Sequence, residues 1–209
     1  MEYRRPEEIE RHSFELIEKE LPRELKPDEK PVIMRVIHTT ADFEYASSLC
    51  FSEGVIPHAV RVLKNGAAII TDTNMALAGI NKAALHKLHG NALCYMADPE
   101  VAREAKEREI TRASVSMEKA MEYPGPLILA VGNAPTALLR LDELIREKGR
   151  RPELVIGVPV GFVNVAEAKK IIMQSGVPYI VAKGRKGGSN VAAAICNALL
   201  YETLKRNPV

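Results

Sequence analysis

The chain has 209 residues, 46% of them apolar and 27% charged, with a formal net charge of +2. This length suits one α/β domain with a helical appendage. The near-cancelling charge excludes the global basic field of a nucleic-acid binder, so any anion site has to be local. No stretch approaches the roughly 18 apolar residues that span a membrane, and the charged segment from Met1 to Glu8 lacks the apolar core of a signal peptide. Cys50, Cys94 and Cys196 are isolated thiols without a CxxC pair. They read as small core residues of a reducing compartment, and a soluble cytoplasmic protein is expected. With no Trp and 5% aromatics, a site built on ring stacking is disfavoured.

The first quarter reads as helical. Pro6 followed by Glu7 and Glu8 is a good helix start, because proline fits the first turn and acids favour its positive end. Ile9, Ser13, Leu16 and Ile17 follow at helical spacing, which puts Ser13 near an apolar stripe one turn from Ile9 and Ile17. A second helix is expected from about Asp28 to His38 through Val32, Ile33, Val36 and Ile37. A third contains Phe43, Ala46 and Leu49. From about residue 57 the pattern changes to strand–helix alternation. Five short apolar runs, Ala67–Thr71, Ala92–Met96, Leu127–Val131, Leu154–Val158 and Tyr179–Ala182, lack polar alternation, as parallel strands covered on both faces do. Helices are expected over Ala134–Glu147, Val165–Gln174 and Ser189–Leu204. The predicted architecture is a doubly wound five-stranded parallel sheet, with residues 1–56 as an N-terminal helical part and 57–209 as the α/β core of a single domain.

In such a fold ligands bind where the loops leave the strands. Those loops begin Asp72-Thr73-Asn74, Gly132-Asn133-Ala134-Pro135-Thr136, Pro159-Val160-Gly161-Phe162 and Lys183-Gly184-Arg185-Lys186-Gly187-Gly188-Ser189. The last carries three cations and three glycines into a helix N-terminus, a pattern for binding an anion. It is no phosphate loop, since Ser189 stands where a Walker motif needs glycine followed by lysine. The dinucleotide fingerprint G-x-G-x-x-G is absent after every strand. Carboxylates are the better anion. Among the histidines, His12, His58, His86 and His89 have no metal-ligand pattern and read as surface or structural. His38, at the end of an apolar helical face and one turn from Arg35, reads by spacing as a packing residue and is also the one candidate acid–base group. No metal site is expected.

Seven segments in order resemble the precorrin-8X methylmutases over essentially the whole chain. They are Arg11-His12-Ser13-Phe14, Arg35-Val36-Ile37-His38-Thr39-Thr40, Asp72-Thr73-Asn74-Met75, Thr111-Arg112-Ala113, Gly132 to Leu138, Gly157 to Val163, and Gly184 to Ser189. One departure is Val165-Ala166-Glu167-Ala168-Lys169, where relatives often have serine before the lysine. The resemblance implies a flavodoxin-like sheet and a homodimer with pockets near the interface. It implies an isomerase of cobalamin biosynthesis that moves a methyl group from carbon 11 to carbon 12 of precorrin-8 or cobalt-precorrin-8, giving hydrogenobyrinate or cobyrinate. His38 then corresponds to the catalytic acid–base group, Ser13 and Arg35 to substrate-binding residues, and Arg112 to an arginine near the macrocycle. Arg185, Lys186, Gly187 and Ser189 are expected to hold acetate and propionate arms. No cofactor is expected, any cobalt arriving with the substrate, and hand-over of product to the next enzyme of the pathway is a possible partnership. A tetrapyrrole carrier without turnover and a flavodoxin-like nucleotide protein are the alternatives.

Overall fold

The computed structural model describes residues 5–205. The chain opens with α1 (Pro6–Glu20), α2 (Lys30–Thr40) and α3 (Tyr45–Ser48), then a short strand β1 (Leu49–Phe51) and α4 (Val55–Lys64). Next come β2 (Ala68–Thr71), α5 (Asn74–Gly79), α6 (Lys82–Lys87) and β3 (Ala92–Leu93). After α7 (Pro99–Glu107) and α8 (Arg112–Met121), strand and helix alternate: β4 (Leu127–Val131), α9 (Pro135–Lys148), β5 (Leu154–Gly157), α10 (Val165–Gln174), β6 (Tyr179–Ala182) and α11 (Ser189–Lys205).

All five expected strands form, the run Ala92–Met96 only as the two residues of β3, but the sheet has six, in the order β1-β6-β5-β4-β2-β3. The sixth is β1, antiparallel to β6 with Leu49 opposite Ala182 and Phe51 opposite Ile180. It replaces most of the expected third helix, which is reduced to one turn. The pairing continues beyond the strand: Lys183 N–H donates to the Ser48 carbonyl at 2.8 Å, and Ser52 N–H to the Tyr179 carbonyl at 3.0 Å. The first quarter is therefore not wholly helical. The other strand pairs are parallel.

Alternate residues of the parallel strands enter two separate cores. Ile128 and Ala130 of β4 join Val36, Ile56 and Ile195 on the face covered by α2, α4 and α11. Leu129 and Val131 join Met117, Leu138 and Ile172 on the face covered by α8, α9 and α10. Burial on both faces is why these strands read as unbroken apolar runs. The central helix α11 is apolar nearly all round, with Val191, Ile195, Leu199 and Leu200 all at most 1% exposed. From β2 the chain steps outward to β3 and then back across to β4. The strand order thus reverses between β2 and β4, which opens a crevice at their C-terminal ends. Among the described residues no helix is long and apolar enough to cross a membrane.

Candidate active site

The crevice is floored by Asp72, the residue after β2. Its carboxylate is wholly buried and accepts backbone N–H groups from Gly132, Asn133 and Ala134, each at 2.8 Å. Burial pushes the Asp72 carboxyl up from its ordinary range, while the three donors favour its charged form. Asp72 thereby fixes the turn from β4 into α9. Thr73 caps α5 by accepting the Ala76 N–H, and its hydroxyl shares a 2.7 Å hydrogen bond with that of Ser189 at the start of α11. Gly132 lets these turns close: a Cβ there would stand 2.8 Å from Ser189 Cα. A third helix start joins them, because Thr111, the N-cap of α8, bonds Thr136 in the first turn of α9 at 2.9 Å. The positive ends of α8, α9 and α11 therefore gather at the strand edge, an arrangement suited to carboxylates.

The glycine-basic loop lies at the same edge. Gly188 N–H donates to the Val158 carbonyl at 2.9 Å, and Gly161 N–H to the Arg185 carbonyl at 3.1 Å. Gly187 has φ +158°, and a Cβ would lie 2.1 Å from the Val158 oxygen, so no other residue fits without moving backbone. The Arg185 guanidinium lies 5.4 Å from the centre of the Phe162 ring, and both side chains are exposed. Lys186 is placed differently from the expected free cation. Its ammonium pairs with Asp42 and Glu44, each at 2.6 Å, which holds its pKa above the ordinary lysine range.

Ser13, Arg35 and His38 form a second group on α1 and α2. Phe14 joins them. The His38 imidazole stacks on the Phe14 ring with centroids 5.1 Å apart and planes at 18°, and Arg35 lies 4.7 Å from the same ring. Tyr201 of α11 covers Arg35 from 5.1 Å, and Glu10 pairs with it at 2.5 Å. Ser13 is half-buried, with its hydroxyl donating to the Ile9 carbonyl at 2.9 Å. Its expected apolar neighbour Ile9 is 53% exposed, so the stripe faces the core only in part. His38 is exposed rather than packed in the core, as a group that meets a ligand must be. Phe14, Arg35 and Tyr201 line a groove of about 270 Å³. Of the cysteines, only Cys196 is buried, its thiol pushed up to about 12 by burial, while Cys50 and Cys94 are half-buried.

The two groups lie along one face. Arg35 sits against Tyr201, twelve residues into α11 from Ser189, or about 18 Å at helical rise. The Asp42–Lys186 pair ties the far end of α2 to the loop preceding Ser189. His38 falls between. Arg112 stands apart: it is exposed at the start of α8, on the opposite face of the sheet from α2. The sequence reading gave no role to Asp72, Thr73 or Phe14, although all three lie in the matching segments. An acid directly after an apolar strand was the available signal for Asp72. Among the described residues no three His, Cys, Asp or Glu side chains gather to hold a metal ion.

Fold and site define an α/β protein in which the helix starts of α8, α9 and α11 gather at the strand edge, with the face of α1 and α2 beside it. The sequence model of the precorrin-8X methylmutase family (CbiC) matches residues 8–202. A cobalt-precorrin-8 methylmutase from Salmonella typhimurium is 44% identical over 205 residues, covering 94% of this chain and 95% of that protein. One from Priestia megaterium is 43% identical over 195 residues, covering 93% and 87%. The crystal structure of a precorrin-8X methylmutase from Thermus thermophilus superposes with a TM-score of 0.87 at 39% identity, covering 96% of this chain and 99% of that one. The chain belongs to the precorrin-8X methylmutase family and is an isomerase of cobalamin biosynthesis.

Proposed function

We propose that the protein converts precorrin-8 or cobalt-precorrin-8 to hydrogenobyrinate or cobyrinate by moving the methyl group on carbon 11 to carbon 12. The carbon 11–methyl bond breaks, the carbon 12–methyl bond forms, and substrate and product are isomers. A suprafacial shift around the conjugated ring needs no oxidant or reductant, so no protein-bound cofactor enters the reading, and any cobalt belongs to the substrate.

The observation that carries the proposal is the placement of His38, exposed on the Phe14 ring between Arg35 and the loop tied down by Lys186. From there an imidazole can donate a proton or hydrogen bond to a ring nitrogen, making the ring a better electron sink as the methyl migrates. Imidazoles suit the task because they titrate near neutral pH. Ser13, Arg35, Arg185, Gly187 and Ser189 hold the carboxylate arms, with Arg112 contributing from across the edge. Binding energy from these remote groups fixes the geometry of the reacting carbons. The test is incubation of purified protein with metal-free and cobalt-containing precorrin-8, followed by visible spectroscopy and product analysis. Isomerisation of either form is expected, and the one turned over faster identifies the natural substrate. Failure with both overturns the proposal.

The parallel strands β3-β2-β4-β5-β6 support a flavodoxin-like reading of the sheet, with β1 added at one edge. A homodimer is also part of the proposal. The loop after β5 exposes Val160, Phe162 and Val163, the last two by 81% and 76%, which is apolar surface suited to a second copy. Sedimentation is expected to give a dimer at micromolar concentration, and a monomer alone would remove this part. The three free cysteines fit a cytoplasmic enzyme. Direct hand-over of product to the next enzyme would appear as retention of product until that enzyme is added.

A further inference from the structure

Lys169 on α10 is among the largest fully buried side chains of the protein, at 1% exposed. Its ammonium donates to the Gly184 carbonyl at 2.9 Å and to the Lys186 carbonyl at 2.8 Å, the two carbonyls that bracket Arg185. Burying an ammonium is costly, and the burial here pushes its pKa down to about 8. Among the described residues no carboxylate forms an ion pair with it, so loop carbonyls are its compensation. An apolar side chain of similar volume would fill the space at less cost. What the lysine adds is the orientation of two peptide groups. In a trans peptide the N–H points opposite to the C=O. With the Gly184 and Lys186 oxygens turned toward Lys169, the N–H groups of Arg185 and Gly187 point away from it. The cation behind these peptide units also strengthens their N–H groups as donors.

We propose that Lys169 is a positioning residue of the substrate site: it turns the Gly184 and Lys186 carbonyls inward, so that the Arg185 and Gly187 N–H groups meet a carboxylate of the substrate alongside the Arg185 side chain. This rests on the corrin-isomerase function proposed above. Lys169 touches no substrate; it acts through the loop. Lys169, Met173, Tyr179 and Gly184 line a cavity of about 400 Å³, a route by which a small amine can reach the space of a truncated side chain.

The experiment compares KM and kcat of wild type and Lys169→Met with precorrin-8 or cobalt-precorrin-8. KM is expected to rise about 10- to 100-fold, the loss of one or two charge-assisted hydrogen bonds, with kcat within about threefold. Lys169→Ala is the second variant. Propylammonium, which replaces the missing atoms, should restore its KM, and propanol should not. If Lys169→Met does not fold, Lys169→Ala folded with propylammonium and then freed of it gives the reading, a rise in KM on removal being the expected result. Unchanged KM in Lys169→Met, rescue by propanol as well as by the amine, or no change in KM on amine removal would each overturn the role. The wild type separates the two proposals: no turnover there sinks the function, whereas wild-type turnover with KM unaltered by the substitution sinks only Lys169.

Discussion

The Lys186 ammonium lies 2.6 Å from Asp42 Oδ2, across 144 residues of sequence. This contact joins the glycine-basic loop to the turn that follows α2, four residues beyond His38. It also changes what Lys186 can do. A cation already matched by Asp42 and Glu44 offers little uncompensated charge to a ligand, and a solvent-screened pair of this kind adds little to stability. Its chief effect is geometric: it sets how far the loop stands from the helix that carries Arg35 and His38.

The tether has a defined pH dependence. The hydrogen bond from Lys186 holds the Asp42 carboxyl below its ordinary value of 3.8. A carboxyl whose folded pKa is lowered contributes stability that is fully present above the unfolded value and lost as pH falls through the folded one. The stability difference between wild type and Asp42→Asn should therefore be constant from neutral pH down to about 4, and should vanish below the folded pKa. Urea unfolding at pH 7 and across the acid range measures it. The difference should also shrink in high salt.

Arg185 and Lys186 should differ in their effect on ligand binding. Arg185 rests on an exposed ring and has no carboxylate partner among the described residues, whereas Lys186 has two. Arg185→Ala is expected to weaken binding of the corrin product by about 1.5–3 kcal/mol if one charged hydrogen bond is lost. Lys186→Ala should weaken it less. Titration of each variant with product separates them, and equal losses would show that the substrate displaces Asp42 and Glu44.

Asp72 should be needed for folding more than for chemistry. It is wholly buried, and Asp72→Ala would leave the N–H groups of Gly132, Asn133 and Ala134 without their acceptor. Each buried group left unsatisfied costs about 1–3 kcal/mol. A loss of several kcal/mol and a large fall in Tm are expected. Asp72→Asn should fall between, because its amide keeps one acceptor oxygen but turns N–H groups toward the remaining donors. A wild-type Tm in Asp72→Ala would show that the turn into α9 holds without it.

The parallel part of the sheet was readable from the chain because runs such as Leu127–Val131 and Leu154–Gly157 are covered on both faces and carry no polar alternation. β1 was not. Leu49 continues the helical spacing of Phe43 and Ala46, and only the distant edge of β6 turns Leu49–Phe51 into a strand. The site divides similarly. The anion-binding character of Gly184–Ser189 follows from local glycines, cations and a helix start. The neutralisation of Lys186 depends on Asp42 and Glu44, which no local pattern could connect to it. The contacts of Lys169 have no local sign either: its sequence neighbours are those of an ordinary helix, and its partners are backbone oxygens with no signature in residue type.

In the proposed mechanism His38 is the acid or hydrogen-bond donor to the ring, and its variants test that role most directly. The side chain is exposed and stacks on Phe14, so its removal empties no core space. His38→Ala should therefore fold with little change in Tm. General acid–base catalysis contributes about 10²–10⁴ in rate, and turnover should fall by that factor. Product affinity should fall far less, because Arg185 and the helix starts at the strand edge remain. His38→Asn is the sharper variant, since an amide donates a hydrogen bond but transfers no proton. If the imidazole gives a proton to the ring, His38→Asn should be nearly as slow as His38→Ala. If it only donates a hydrogen bond to the developing charge, His38→Asn should recover much of the rate. Single-turnover kinetics of both variants, with product binding measured alongside, distinguish these outcomes. Near-normal turnover in His38→Ala would remove His38 from the mechanism and make Arg112 the next candidate for stabilising charge on the ring.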